Sequence, residues 1–431
     1  MHPVLVVKWM EHRRSYLNVD RAFDILLSSI TLKPCSETVP AIHSYTRVLA
    51  EEVIAPTSRP LLDTSHMDGF ALRSADTVHS SKSNPLSLKI KGTVKLEDFP
   101  EKRVSQGEVF GILTGAHLPP GADAVVPKEK VYKADGRIEV SEPLRDGENV
   151  IRAGSDFAQR AVVFKEGHIV RAQDIGILAA LGILEVRVYH KPRVAIINVG
   201  SELIESAENI QPGKTVSSHG FMISRVVSKS GGDPQYLGIA PDEEDKIVMA
   251  VQKGLRESDL VCTIGGSSMG ETDLVERSIN KLGDPGVIVH GLQLQPGRVG
   301  GFGVIDGKPI FILPGLILST INCFAFLVYP LIRRLMNKDP TPYSWKMKAR
   351  LDHSPELSLF HDFRRIVWVE LKSDSDGIVA TPISGGSSKL SVMAKANGYI
   401  VIPEQQDPPK DDRLVDVHFL PGVSEPEAFL L

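Results

Sequence analysis

A chain of 431 residues, 42% apolar and 24% charged, is too long for one hydrophobic core and has the composition of an ordinary globular protein, so roughly two to four domains are expected. A formal net charge of −4 offers no basic field to nucleic acid or to an anionic membrane surface. Three widely spaced cysteines, Cys35, Cys262 and Cys323, give neither a C-x-x-C pair nor a disulfide framework, which points to a reducing, cytoplasmic setting.

The opening MHPVLVVKWMEHRR has its basic residues after its apolar run, the wrong order for a signal peptide. In NVDRAFDILLSSI (18–30), Val19, Phe23, Leu26 and Ile30 recur at helical spacing behind Asn18, predicting an amphipathic helix with Asn18 as N-cap. A second helix is expected over 42–53. Residues 54–149 are rich in Gly, Pro and short alternating runs such as LSLKIKGTV and GRIEV, which read as β structure. Residues 150–190 are mixed, with an apolar helix over 173–183.

From Arg193 the pattern changes. RVAIINV, LVCTIGG, GVIVHGLQL and PIFILPG are short apolar runs separated by helical patterns at 219–230, 243–256, 273–282 and 318–336. Strands alternating with helices predict a parallel α/β sheet. The apolar stretch 309–332 is long enough to raise a membrane span, but Pro314-Gly315 breaks it and Ser319, Thr320 and Asn322 follow. A buried strand, a tight turn and a core helix are expected there instead. After Pro340 and Pro342, the runs FRRIVWVEL, GIVATPIS and GYIVIPE predict a terminal β domain. The expected organisation is a discontinuous helical and mixed domain (1–53 and 150–190), an inserted β domain (54–149), a central parallel α/β domain (191–338) and a C-terminal β domain (343–431).

Ligands of open parallel sheets sit beyond the carboxyl ends of the strands. NVGSELI (198–204) and IGGSSMGETD (264–273) occupy that place. Gly265, Gly266 and Gly270 would let backbone N–H groups approach a phosphate or oxyanion at the start of a helix; equally, they suit an ordinary tight turn. Glu202, Asp242 and Asp273 follow three strand ends. Together they would hold Mg²⁺ against a phosphate, in preference to zinc; taken singly, Glu202 and Asp273 read as helix caps. DTSHMDGFALR (63–73) sets Asp68 and Gly69 at the mouth of a strand. ILTGAHLPPGADAVVPKE (112–129) reads chiefly as a hairpin, with Thr114 as a possible ligand contact. The histidines show no zinc spacing, and no G-x-S-x-G elbow or Walker A loop is present.

In this order the packets resemble the molybdopterin molybdenumtransferase family, which includes the gephyrin E domain. The matching blocks are SHMDGFALR, TGAHLPPGADAVV (114–126), GENVIRAGSDF (147–157), VAIINVGSELI, TIGGSSMGETD, QPGRVGGFG, ILPGLILS and GGSSKLSVMAKANGYIVIPE (385–404), covering roughly residues 18–420. The resemblance implies an elongated homodimer with four domains per chain and a pterin site on the α/β domain. The implied reaction inserts molybdate into adenylated molybdopterin with release of AMP and help from Mg²⁺. Asp68, Thr114, Asp156, Glu202, Asp242, Asp273, Pro314 and Ser387 match functional positions of the family. Gly265, Gly266, Ser267, Gly270, Arg298 and Gly315 fall in its substrate-binding blocks. Asp68, with Thr114 beside it, would face the α/β domain of the partner.

The departures cluster at the anion-binding end. Ser201 stands for an aspartate, Gly291 and Gln295 for lysines, Leu316 and Ile317 for Asn-Pro, and His219 for an asparagine. Two lost ammonium groups remove charge-assisted hydrogen bonds of about 1.5–3 kcal/mol each. Arg298, Lys214 and Arg225 are the candidate replacements. An active transferase is expected; the alternative is a weakened or non-catalytic paralogue that binds molybdopterin or acts as a scaffold.

Overall fold

A computed structural model describes residues 16–266, 273–341, 346–357, 360–375 and 377–424. Two positions of the glycine-rich loop, Ser267 and Gly270, lie outside the described residues. The chain forms two compact units, one from residues 1–37 with 189–431 and one from residues 38–188.

The larger unit is built on a six-stranded sheet. Asp233–Ala240, Arg193–Val199, Leu260–Gly265 and Lys308–Leu313 run parallel in that order, and Gly301–Ile305 and Pro285–His290 extend the sheet as antiparallel strands. Side chains alternate between the faces of a strand, so each strand serves two cores. Val194, Ile196, Leu260, Cys262, Phe311 and Leu313 pack with helix His219–Ser230, the helical run 317–335 and Val19, Ala22 and Leu26 of helix Val19–Ser29. Ala195, Ile197, Val199, Val261, Ile310 and Ile312 pack with helices Glu244–Glu257 and Leu274–Leu282. The result is a doubly wound three-layer α/β structure. Asn18 caps the first helix as expected, its side chain accepting from Asp20 N and Arg21 N.

The run 317–335 is long and apolar enough to cross a bilayer, but 89% of it is buried inside the protein, as a core helix must be. One strand expectation fails in part. GVIVHGLQL is split: Pro285–His290 stays in the α/β sheet, Gly291 turns the chain at φ 123°, and Leu294–Gln295 pairs with Arg364 and Arg365 in another sheet. That sheet also contains Arg364–Asp374, Gly377–Pro382, Lys346–Leu351, Leu414–His418 and Gly398–Ile402. The strand Arg364–Asp374 pairs with both Gly377–Pro382 and Gly398–Ile402, closing the ring into a small barrel.

The smaller unit contains a six-stranded sheet ordered Ala124–Pro127, Gly69–Leu72, Glu108–Ile112, Leu86–Val94, Arg137–Val140 and Val131–Ala134. The expected helix 173–183 is present as Ala172–Ala180. The helix expected over 42–53 is absent. A 3-10 turn at Ala41–His43 is followed by Thr46 at φ 63°, and Val48 and Leu49 form bridges to Ile169 and Val188. Long-range strand pairing overrides the local helical pattern there.

Candidate functional site

In the smaller unit the chemistry gathers on Asp68. The packet around it is shaped by sterics: a Cβ on Gly69 would lie 2.0 Å from the Val126 carbonyl oxygen, so only glycine lets the strand enter between its neighbours. Gly115 N donates to Ser65 O at 2.8 Å, bringing the Thr114–Gly115 turn against the start of the packet. Thr114 then donates to Asp68 Oδ1 from both its N–H and its Oγ1, each at 2.9 Å, and Lys128 Nζ donates to Oδ2 at 3.1 Å. The Thr114 N–H, the Lys128 ammonium and the Thr114 hydroxyl hold the Asp68 carboxyl down at about 2. It is a fixed anion that accepts hydrogen bonds and keeps a half-exposed face. Asp156 lies in a neighbouring cavity of about 490 Å³, lined also by Arg59, Thr64, Gly115 and His117. Lys128 had no signal in the sequence beyond its charge.

In the larger unit the four parallel strands end level. Val199 is in register with Ala240 and with Gly265, and Ile264 with Leu313. The turns that follow carry Ser201 and Glu202, Asp242, Gly265 and Gly266, and Pro314 and Gly315, so these residues share one edge of the sheet. Ser201 and Asp242 lock two turns together: Ser201 N donates to Asp242 Oδ2 at 2.8 Å, and Asp242 N donates to Ser201 Oγ at 2.9 Å. The Glu202 carboxylate folds back over Gly200, within 2.7 Å of where a Cβ would stand there. It caps no helix, because the chain continues into the short strand Leu203–Ile204.

Tight packing explains Gly265 and Gly266. At φ 89° and 64°, Cβ atoms would meet Val199 O and Val199 Cγ1, each at 2.5 Å. A Cβ on Gly315 would stand 3.4 Å from Gly265 Cα, which places the two glycine turns side by side. Ser387 reaches the same edge through its backbone, its carbonyl accepting from Leu318 N at 3.1 Å.

The departures have definite places. Leu316 is 47% exposed at the turn, whereas Ile317 is buried as the first residue of its helix. Gly291 is buried at φ 123°, a backbone conformation in which a restored lysine would be strained. Gln295 is the register partner of Arg365, which is 2% exposed; Gln295 Oε1 and Arg365 Nε are both buried without a hydrogen-bond partner among the described residues. Arg365 is therefore a cation beside an old lysine position, one that sequence reasoning passed over because it lies in a different domain. Lys214 Nζ donates to Ser201 O at 2.8 Å, at the strand-end turns. Arg298 is stacked on the Phe360 ring, 4.5 Å from its centroid. Arg225 is exposed on helix His219–Ser230. His219 opens that helix; burial pushes its pKa down, and its Nε2 is buried without a hydrogen-bond partner among the described residues.

The structure does not bring Glu202, Asp242 and Asp273 into one ligand set. Asp273 caps helix Leu274–Leu282, its Oδ1 accepting from Glu276 N at 2.9 Å. Among the described residues, the group of three close enough to share an ion is Asp273, Glu276 and His290. Carboxylates at successive strand ends project from different turns, and capping turns Asp273 toward its own helix. His290 and Glu276 carried no motif signal; helical and strand periodicity accounted for both.

Three family descriptions cover most of the chain: the MoeA N-terminal region (domains I and II) matches residues 17–182, a probable molybdopterin-binding domain matches 195–334, and the MoeA C-terminal region (domain IV) matches 356–420. A putative molybdopterin biosynthesis protein of Methanocaldococcus jannaschii is 33% identical over 392 residues, covering 89% of this chain and 92% of that protein. The molybdopterin molybdenumtransferase of Bacillus subtilis is 30% identical over 374 residues, covering 85% and 86%. The crystal structure of a molybdopterin biosynthesis MoeA protein from Pyrococcus horikoshii superposes with a TM-score of 0.84 at 30% identity, covering 94% of this chain and 99% of that one.

Proposed function

The chain belongs to the molybdopterin molybdenumtransferase family and to molybdenum cofactor biosynthesis, and from that premise we propose that it inserts molybdate into adenylated molybdopterin with release of AMP. The observation that carries this reading is the level edge of the parallel sheet, where Glu202, Asp242 and the two glycine turns stand together. Close-packed glycines leave main chain accessible to a phosphate-bearing substrate, and such edges are where α/β sheets bind ligands. Gly265, Gly266, Pro314, Gly315 and Ser387 form the floor of the substrate site in this reading.

The anion pocket is rebuilt rather than lost. Lys214 at the Ser201 turn, Arg298 on Phe360 and Arg365 beside Gln295 supply the positive charge that Gly291 and Gln295 no longer give. Glu202 and Asp242 suit Mg²⁺, which takes one or two carboxylates together with substrate phosphate oxygens and would neutralise phosphate charge when bound. Asp68, fixed as an anion by Thr114 and Lys128, orients a donor group of the substrate. The reading includes a homodimer in which the Asp68–Thr114 group of one protomer serves the strand-end site of its partner, in a reducing cytoplasm that suits three free cysteines.

Purified protein incubated with adenylated molybdopterin, molybdate and Mg²⁺ should release AMP, and Asp242→Asn should abolish that release. Tight binding of molybdopterin with no AMP formed would instead support the non-catalytic paralogue, a reading favoured by the exposed Leu316 at the turn where the family has asparagine.

A further inference from the structure

His290 is buried between two carboxylates, with its side chain only 5% exposed. Its Nδ1 lies 2.7 Å from Glu276 Oε2, and its Nε2 lies 3.5 Å from Asp273 Oδ2. The short contact fixes the tautomer: a carboxylate oxygen accepts, so Nδ1 carries the proton and donates to Glu276. Nε2 then presents a lone pair toward a carboxylate oxygen. It has no hydrogen-bond partner among the described residues.

A buried imidazole nitrogen without a partner among the described residues, facing a carboxylate oxygen, offers a pair of donors to a positive centre. If that centre were a proton, the N–H···O bond would be charge-assisted and should close to about 2.7–2.9 Å. The observed 3.5 Å is longer. It is close to the edge of a tetrahedron around a metal: ligands at about 2.0–2.1 Å from a four-coordinate ion stand about 3.4 Å apart. Imidazole held by a carboxylate through its other nitrogen is also the usual way a metal-binding histidine is oriented. Asp273 adds the second ligand, aimed by its role as N-cap of helix Leu274–Leu282.

We propose that His290 Nε2 and Asp273 Oδ2 bind a divalent ion of the zinc type, with Glu276 orienting the imidazole and water completing the coordination. This site is distinct in donor type from the oxygen-only pair Glu202 and Asp242. Mixed nitrogen and oxygen donors favour Zn²⁺ or Co²⁺ over Mg²⁺. The inference rests on the geometry of these three side chains and not on the proposed transferase reaction.

The test uses the full-length chain, stripped with a chelator and titrated with Co²⁺ by visible absorption and with Zn²⁺ by calorimetry. The expected result is one equivalent bound with the intense bands of a four-coordinate ion, undiminished by millimolar Mg²⁺. His290→Gln should weaken this binding at least about 100-fold, and Glu276→Gln roughly 10–100-fold. Affinity and spectrum unchanged in both variants would overturn the proposal. A nitrogen-15 NMR measurement on the wild type covers the case in which His290→Gln fails to fold. Zinc should shift the Nε2 resonance while Nδ1 remains protonated, whereas an imidazolium with both nitrogens protonated in excess zinc would reject the site.

Discussion

At the scale of single residues, Asp68 shows how a surface carboxylate is made into a fixed anion. The largest influence on it is the Thr114 backbone N–H, followed by Lys128 and the Thr114 hydroxyl. Its folded value of about 2 lies below the ordinary 3.8, so the linkage has one sign: the interaction is present above the ordinary value and is lost as pH falls through about 2. Thr114→Val removes the hydroxyl and keeps the N–H. The Asp68 midpoint should then rise only part of the way toward 3.8, followed by carbon-13 NMR of the carboxyl. A midpoint that does not move would mean that the Thr114 hydroxyl does not bond Asp68 in solution. The M-D-G packet displayed the aspartate in the sequence, but nothing there paired it with Lys128, which lies 60 residues away.

At the scale of elements, glycines divide into those the fold requires and those it tolerates. Gly69 runs between Glu108–Ile112 and Ala124–Pro127, and its missing side chain is what permits the contact with Val126 O. Gly69→Ala should cost about 3 kcal/mol, because the obstacle is backbone and cannot rotate away. Gly176, within helix Ala172–Ala180, has nothing within 4 Å of a built Cβ. Gly176→Ala should therefore stabilise the protein by about 0.5–1 kcal/mol through helix propensity and a less flexible unfolded chain. Urea unfolding of both variants checks the pair, and equal destabilisation would contradict the packing argument. Elements whose pattern is local were legible: the Asn18-capped helix, the α/β strands and the helices between them. The segment 42–53 was not legible, because its structure depends on partners at Ile169 and Val188.

At the scale of the whole molecule, the residues matched to the family are divided between two compact units: Asp68, Thr114 and Asp156 in one, Glu202, Asp242 and the glycine turns in the other. In the proposed homodimer each site draws on both chains, which makes complementation a direct test. Asp68→Asn and Asp242→Asn should each be inactive alone. Mixed and allowed to exchange subunits, they should recover about a quarter of wild-type AMP release, because half the dimers are mixed and each mixed dimer holds one intact site. No recovery, with exchange verified by mass, would place both residues in the same chain's site and reject the shared arrangement.

The sequence by itself determined the family, the alternation of strands and helices, the β character of the terminal domain and the positions of the departures, because hydrophobic period and ordered motifs are local properties of the chain. Tertiary structure decided what those positions touch. It set Arg365 beside Gln295, grouped Asp273 with His290 and Glu276, and joined Ser201 to Asp242 by reciprocal hydrogen bonds. Each of these depends on strand register or on a turn joining residues distant in the chain, and a side chain's partners across such distances follow from packing rather than from spacing.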